Sequence, residues 1–172
     1  MSVKPFLRTL FIAAGVFCGL GGAALAQVPQ RLDSAASPRQ RVAALQVTDE
    51  NGQPLALNPF AQQAKARFGR VEYRLGTGAF LQRRARIDIV LPPVVNGLQR
   101  PSGLVFRWRG LDGALDGQLI PGQRQPIWSG TITGPLTPLA IDLELQLDLS
   151  AMGQWNGGAF GVEPGFELVP LP

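Results

Sequence analysis

Leu139, Ile141, Leu143, Leu145, Leu147 and Leu149 alternate with Ala140, Asp142, Glu144, Gln146, Asp148 and Ser150 over twelve unbroken residues. A helix would scatter those leucines around its axis, whereas a strand sends every one of them to the same side and the acids to the other. A strand with one apolar and one polar face needs a second layer over its leucines, and a sandwich or a closed barrel are the two ways to supply it.

The same period recurs upstream. Val71, Tyr73 and Leu75 alternate with Arg70, Glu72 and Arg74, and Ala85, Ile87, Ile89 and Leu91 alternate with Arg84, Arg86, Asp88 and Val90. Leu104, Phe106 and Trp108 alternate with Val105, Arg107 and Arg109. Shorter runs over 42–48, 118–120, 127–133, 160–162 and 166–168 are separated by Gly, Pro, Asn and Asp, the punctuation of an all-β domain. Asn51-Gly52 marks a tight turn, because both residues tolerate positive φ. With 21 Gly and 15 Pro in the chain, helices have little room, and only 60–68, rich in Ala, Gln, Lys and Arg, reads as a short accessory helix. The expectation is one all-β domain over 42–172, an antiparallel β-sandwich of seven or eight short strands, with a closed β-barrel as the alternative.

The N-terminus carries an address. Lys4 and Arg8 precede an apolar stretch from Leu10 to Leu25 that ends in Ala24-Leu25-Ala26, the pattern of a signal peptide cleaved before Gln27. An uncleaved anchor is the competing reading, although the stretch falls short of the ~20 residues of a bilayer span. Residues 27–41 are polar and aperiodic, and read as a flexible leader. Cleavage removes Cys18, the one cysteine, and the chain has no histidine. Stability therefore rests on packing without disulfides, and Ser-His-Asp, Cys-His, thiol redox and His or Cys metal chemistry are excluded. An enzyme would have to work with carboxylates, Tyr73 or Lys65, the one lysine left after processing.

Charge divides the processed chain into a basic half, with 13 Lys and Arg against 5 acids up to Gly110, and an acidic half, with Arg124 against 7 acids. Arg84 and Arg86 share one strand face, as do Arg107 and Arg109. Were those strands neighbours, the four would form a basic patch for an anionic partner such as lipid headgroups, acidic glycans or another protein. The alternative is that Asp142, Glu144 and Asp148 lie across from the arginines and neutralise them. The same acids, meeting arginines of another copy, are the candidate face for self-association. Asp112 and Asp116 in a glycine-rich loop suggest calcium ligands, but two Asp-Gly turns explain them more simply. Trp155 beside Asn156-Gly157-Gly158 is a candidate sugar-stacking aromatic against a core reading, while Trp108 and Trp128 read as core. No cofactor, metal site or nucleic-acid partner is expected.

Asn96-Gly97-Leu98-Gln99-Arg100-Pro101 and the apolar strand after it resemble a stretch of the periplasmic polyisoprenoid-binding barrels. Over these ten or so residues, the resemblance implies a barrel around an apolar tail. The residues together point to an exported, non-catalytic β domain acting by binding or assembly at the cell envelope. A periplasmic carrier of an apolar ligand is one alternative, and a carboxylate hydrolase using Asp142 and Glu144 is another. Intact mass of the exported protein should place its first residue at Gln27; a chain retaining Met1 would contradict the cleaved-signal reading.

Overall fold

The computed structural model describes residues 28–38, 41–153 and 160–172. The segment 1–26, expected to be a signal peptide, and the Trp155–Gly158 stretch lie outside the described residues. Among the described residues, nine strands form two antiparallel sheets: β1 (Gln30–Arg31), β2 (Gln46–Thr48), β3 (Gln63–Gly76), β4 (Arg84–Val90), β5 (Leu104–Leu111), β6 (Gly117–Leu119), β7 (Arg124–Thr131), β8 (Leu136–Asp148) and β9 (Gly165–Pro170). The sheets run β2-β3-β8-β5-β6 and β1-β9-β4-β7. This is the all-β sandwich expected from the alternating runs. Each sheet ends in edge strands, which overturns the closed-barrel alternative.

The alternating leucine strand is β8, at the centre of the five-stranded sheet. Leu139, Ile141, Leu143 and Leu145 are buried on its inner side, opposite Tyr73, Val71 and Ala66 of β3 and Trp108 and Phe106 of β5. Ile87, Ile89, Ile127, Phe166 and Leu168 from the second sheet close the core over them. Burying such side chains contributes about 1.5–3 kcal/mol each, so the two inner faces supply most of the folding drive.

Two expectations give way to tertiary pairing. The helix over 60–68 does not form: from Gln63 onward the chain is β3, with Ala64 opposite Leu147 and Ala66 opposite Leu145. Helix preference among such residues amounts to a few tenths of a kcal/mol each. The backbone groups along that flank of β8 must be hydrogen-bonded, and β3 supplies the partners. A register shift between Arg67 and Gly69, with Gly69 at φ 67, then returns Val71, Tyr73 and Leu75 to the inner side.

The described part of the leader, 28–38, also pairs with both sheets. Gln30 and Arg31 pair with Leu168 and Glu167 of β9, and the Leu32 N–H donates to the Phe166 carbonyl at 2.8 Å. One residue later the Asp33 carbonyl accepts the Gly76 N–H of β3 at 2.8 Å, and Ser37 Oγ accepts the Arg74 N–H at 3.0 Å. The segment thus crosses from one sheet to the other and pins Leu32, 6% exposed, into the core. Leu32→Ala should lower the unfolding free energy by about 2–3 kcal/mol, toward the lower end of the range for a buried leucine. Urea titration checks this, and an unchanged midpoint would show that the crossing carries no stability.

Candidate functional site

The outer side of the five-stranded sheet carries charge in rows across three strands. Glu144 of β8 lies between Arg67 of β3 and Arg107 of β5, and Asp142 lies between Arg70 and Arg109. Arg109 pairs with Asp142 at 3.2 Å and Arg100 with Asp148 at 3.5 Å, while Glu144 accepts Gln146 Nε2 at 2.9 Å. The Ser150 hydroxyl and N–H, with Arg100 nearby, hold the Asp148 carboxyl below its ordinary range. Arg70 is clamped between Glu72 at 2.7 Å and Asp112 at 2.6 Å, which raises its affinity for the proton further. The candidate assembly residues Asp142 and Asp148 therefore meet arginines of their own chain.

Arg84 and Arg86 lie on β4, in the other sheet, so they do not join Arg107 and Arg109 on β5. The four-arginine patch is dissolved by the topology, because β4 pairs with β7 and β9 and not with β5. Nor are Arg84 and Arg86 equivalent. Arg86 grips Asp88 with both ends of its guanidinium, Nε to Oδ1 at 2.7 Å and Nη2 to Oδ2 at 3.0 Å. Asp88 is 1% exposed and sits opposite Glu167 of β9, itself paired with Arg124 at 3.1 Å. Two neighbouring carboxylates are thus each held by an arginine, and Arg86 is a structural counter-charge for a buried acid.

Arg84, by contrast, opens onto a corner where the chain passes between the sheets twice. Residues 77–83 lead from β3 to β4, and residues 132–135 lead from β7 to β8. The two connections are hydrogen-bonded to each other: Gln82 N–H to the Ile132 carbonyl at 2.9 Å, Ile132 N–H to the Arg83 carbonyl at 2.9 Å, and Thr77 N–H to the Pro135 carbonyl at 2.9 Å. This is the pattern of a β-bulge in which Gln82 and Arg83 face one residue, Ile132. Gln82 takes the left-handed position (φ 62) that glycine usually fills in such a bulge, at a conformational cost of about 1 kcal/mol. Beneath the corner lie Phe80, Ile132 and the buried Thr77–Thr137 hydroxyl pair at 3.0 Å.

Around this corner Arg84 lies on the outer face of the smaller sheet, next to inward Ala85, and Leu136 on the outer face of the larger sheet, next to inward Thr137. Arg83 and Arg84 are exposed, and neither forms an ion pair among the described residues. Leu81 is 46% and Leu136 42% exposed. No acid occurs over 77–87 or 131–141. Arg83 is the residue that pattern reading passed over, since it precedes the alternating run; its signal was the Arg83-Arg84 pair in a long acid-free stretch.

The remaining candidates have structural partners. Asp112 (φ 52) and Gly113 (φ 90) form a tight turn closed by the Ala114 N–H on the Leu111 carbonyl at 3.0 Å, and Asp116 accepts the Gly110 N–H at 2.7 Å. The two aspartates serve separate bonds, but only Asp112-Gly113 is a turn; Asp116-Gly117 is extended chain entering β6. Tyr73 packs on Phe166 with ring centroids 4.8 Å apart, and burial, with Glu163 nearby, pushes its phenol up, away from any basic role near neutrality. Trp108 is buried and donates from Nε1 to the Leu115 carbonyl at 2.7 Å; Trp128 packs half-buried against the core.

Arg86→Ala strands the Asp88 carboxylate and should lower the unfolding free energy by about 2 kcal/mol, whereas Arg84→Ala should change it by less than about 0.5 kcal/mol. Equal effects in chemical denaturation would contradict this division of roles. Comparison of the chain with known protein families, with curated proteins and with solved structures finds no match.

Proposed function

We propose that the chain is an exported, non-catalytic domain that binds an anionic component of the cell envelope through its Arg83–Arg84 corner. One observation carries this reading: Arg83 and Arg84 are exposed, adjacent in sequence and set in a stretch, 77–87, with no acid, and neither forms an ion pair among the described residues; Arg31, Arg41, Arg67, Arg74 and Arg107 also form none, but Arg67 and Arg107 flank Glu144. Guanidinium groups free of a carboxylate attract anions, and each donates bidentately to an oxyanion. The export address expected from Lys4 to Ala26 supplies the compartment.

The other readings have less behind them. Head-to-tail assembly through basic and acidic faces loses its acids to pairs within the chain at Asp142 and Asp148. For a carrier, the space between the sheets is occupied by Phe106, Phe166, Leu75, Ile87, Ile89 and Leu104. Two open clefts of about 310 and 430 Å³ are bordered by Arg31, Asn96 and Glu163, and by Gln62, Asp148 and Ser150. A hydrolase would need Asp142 and Glu144 to face a common cleft, yet they project from a sheet face toward Arg109 and Gln146.

At low ionic strength the processed protein should bind dextran sulfate, and salt should release it as screening sets in. Arg83→Glu with Arg84→Glu should abolish that binding. Arg67→Glu with Arg107→Glu, an equal charge change on the five-stranded sheet, should leave most of it. Equal losses in the two double variants, or no binding by the wild type, would overturn the assignment.

A further inference from the structure

We propose that a cleft at one end of the smaller sheet binds a short zwitterionic peptide, with Arg31 on its carboxylate and Glu163 on its ammonium. The cleft, about 310 Å³, lies where β4 leaves the sheet and β9 enters it, Val90 standing opposite Gly165. Three separate segments line it: Arg31 at the end of β1, Pro92, Val94 and Asn96 after β4, and Val162 and Glu163 ahead of β9. Small-molecule sites start at about 300 Å³, so the cleft suits one or two amino acids and not a folded partner.

Its chemistry selects for both charges at once. Arg31 and Glu163 are exposed, and neither forms an ion pair among the described residues, with the other or with any third group. Arg31 stands opposite Glu167, but that carboxylate is held by Arg124 at 3.1 Å. A ligand that is only an anion meets repulsion from Glu163, and one that is only a cation meets it from Arg31. A zwitterion satisfies both, since a guanidinium donates bidentately to a carboxylate and a carboxylate accepts from an ammonium. Asn96 adds an amide able to donate to and accept from a peptide bond. Pro92, Val162 and Val94, the last 77% exposed, offer apolar contact to small side chains.

The lining is fixed in advance. Arg31 is pinned by the pairing of β1 with β9 and by buried Leu32 beside it, and the 92–96 connection by the Leu98 N–H on the Val95 carbonyl at 3.0 Å and by Val95 in the core. Charges so placed lose little freedom when a ligand docks. The cleft is also separate from the Arg83–Arg84 corner: Arg84 begins β4, and the cleft lies beyond Val90 at its other end, roughly 20 Å along the strand.

Calorimetric titration of residues 27–172 with L-alanyl-L-alanine tests this. Binding should saturate at one to one, and amidating the peptide's C-terminus or acetylating its N-terminus should each weaken it about tenfold. Arg31→Gln should weaken the unmodified peptide about tenfold and erase the penalty for amidation while keeping that for acetylation; Glu163→Gln should do the converse. Amide shifts on binding should fall over 92–96 and 161–165. An absence of saturable binding by the wild type, capped peptides bound as well as the free one, either variant weakening all three peptides alike, or shifts centred on 81–84 would overturn the proposal.

Discussion

The leucine ridge of β8 is the constraint on which the rest of the sandwich depends. It is the middle strand of the larger sheet, so its inner side chains must be covered from the second sheet and its backbone must be paired along both flanks. The first demand draws Ile87, Ile89, Phe166 and Leu168 over Leu139 to Leu145. The second stretches β3 to fourteen residues and turns a segment with helical composition into strand. Because the chain must cross between layers to meet both demands, connections gather where β3 ends and β8 begins, and the corner at 77–83 and 132–135 is the product.

The outer side of the same strand organises the charge. Asp142 and Glu144 each stand between two arginine-bearing strands, so the most basic part of the sequence folds around its most acidic part. Opposed halves in the sequence become interleaved rows in the sheet. On the smaller sheet, Arg86 and Arg124 are committed to Asp88 and Glu167. Several arginines form no ion pair among the described residues, Arg67 and Arg107 beside Glu144 included; Arg83 and Arg84 differ in that their local chain, 77–87, contains no acid.

Much of this was legible in the sequence. The strict alternation over 139–150 identified β8, and the runs at 70–75, 84–91 and 104–109 identified β3, β4 and β5 with their inner residues. Period two is a local property, and one-sided burial enforces it. Partner choice between strands is not local. Nothing in the sequence placed Arg84 and Arg107 on different sheets, and Gln63–Phe68 became strand only because β8 needed a neighbour there. The leader misled for a related reason: Gln30 and Arg31 are polar because they form an edge, and a single buried residue, Leu32, fixes the segment without any period. Arg83 was overlooked because it precedes the alternating run, and whether an arginine has an ion-pair partner shows only in the assembled fold.

The most direct test of this account is a backbone amide NMR titration of residues 27–172 with a short dextran sulfate oligomer. The account predicts shifts concentrated at Leu81–Arg84 and over 132–136, with the outer residues of β5 and β8 largely unmoved. Shifts centred instead on Arg67, Glu144 and Arg107 would contradict it, placing anion recognition on the charged rows of the larger sheet.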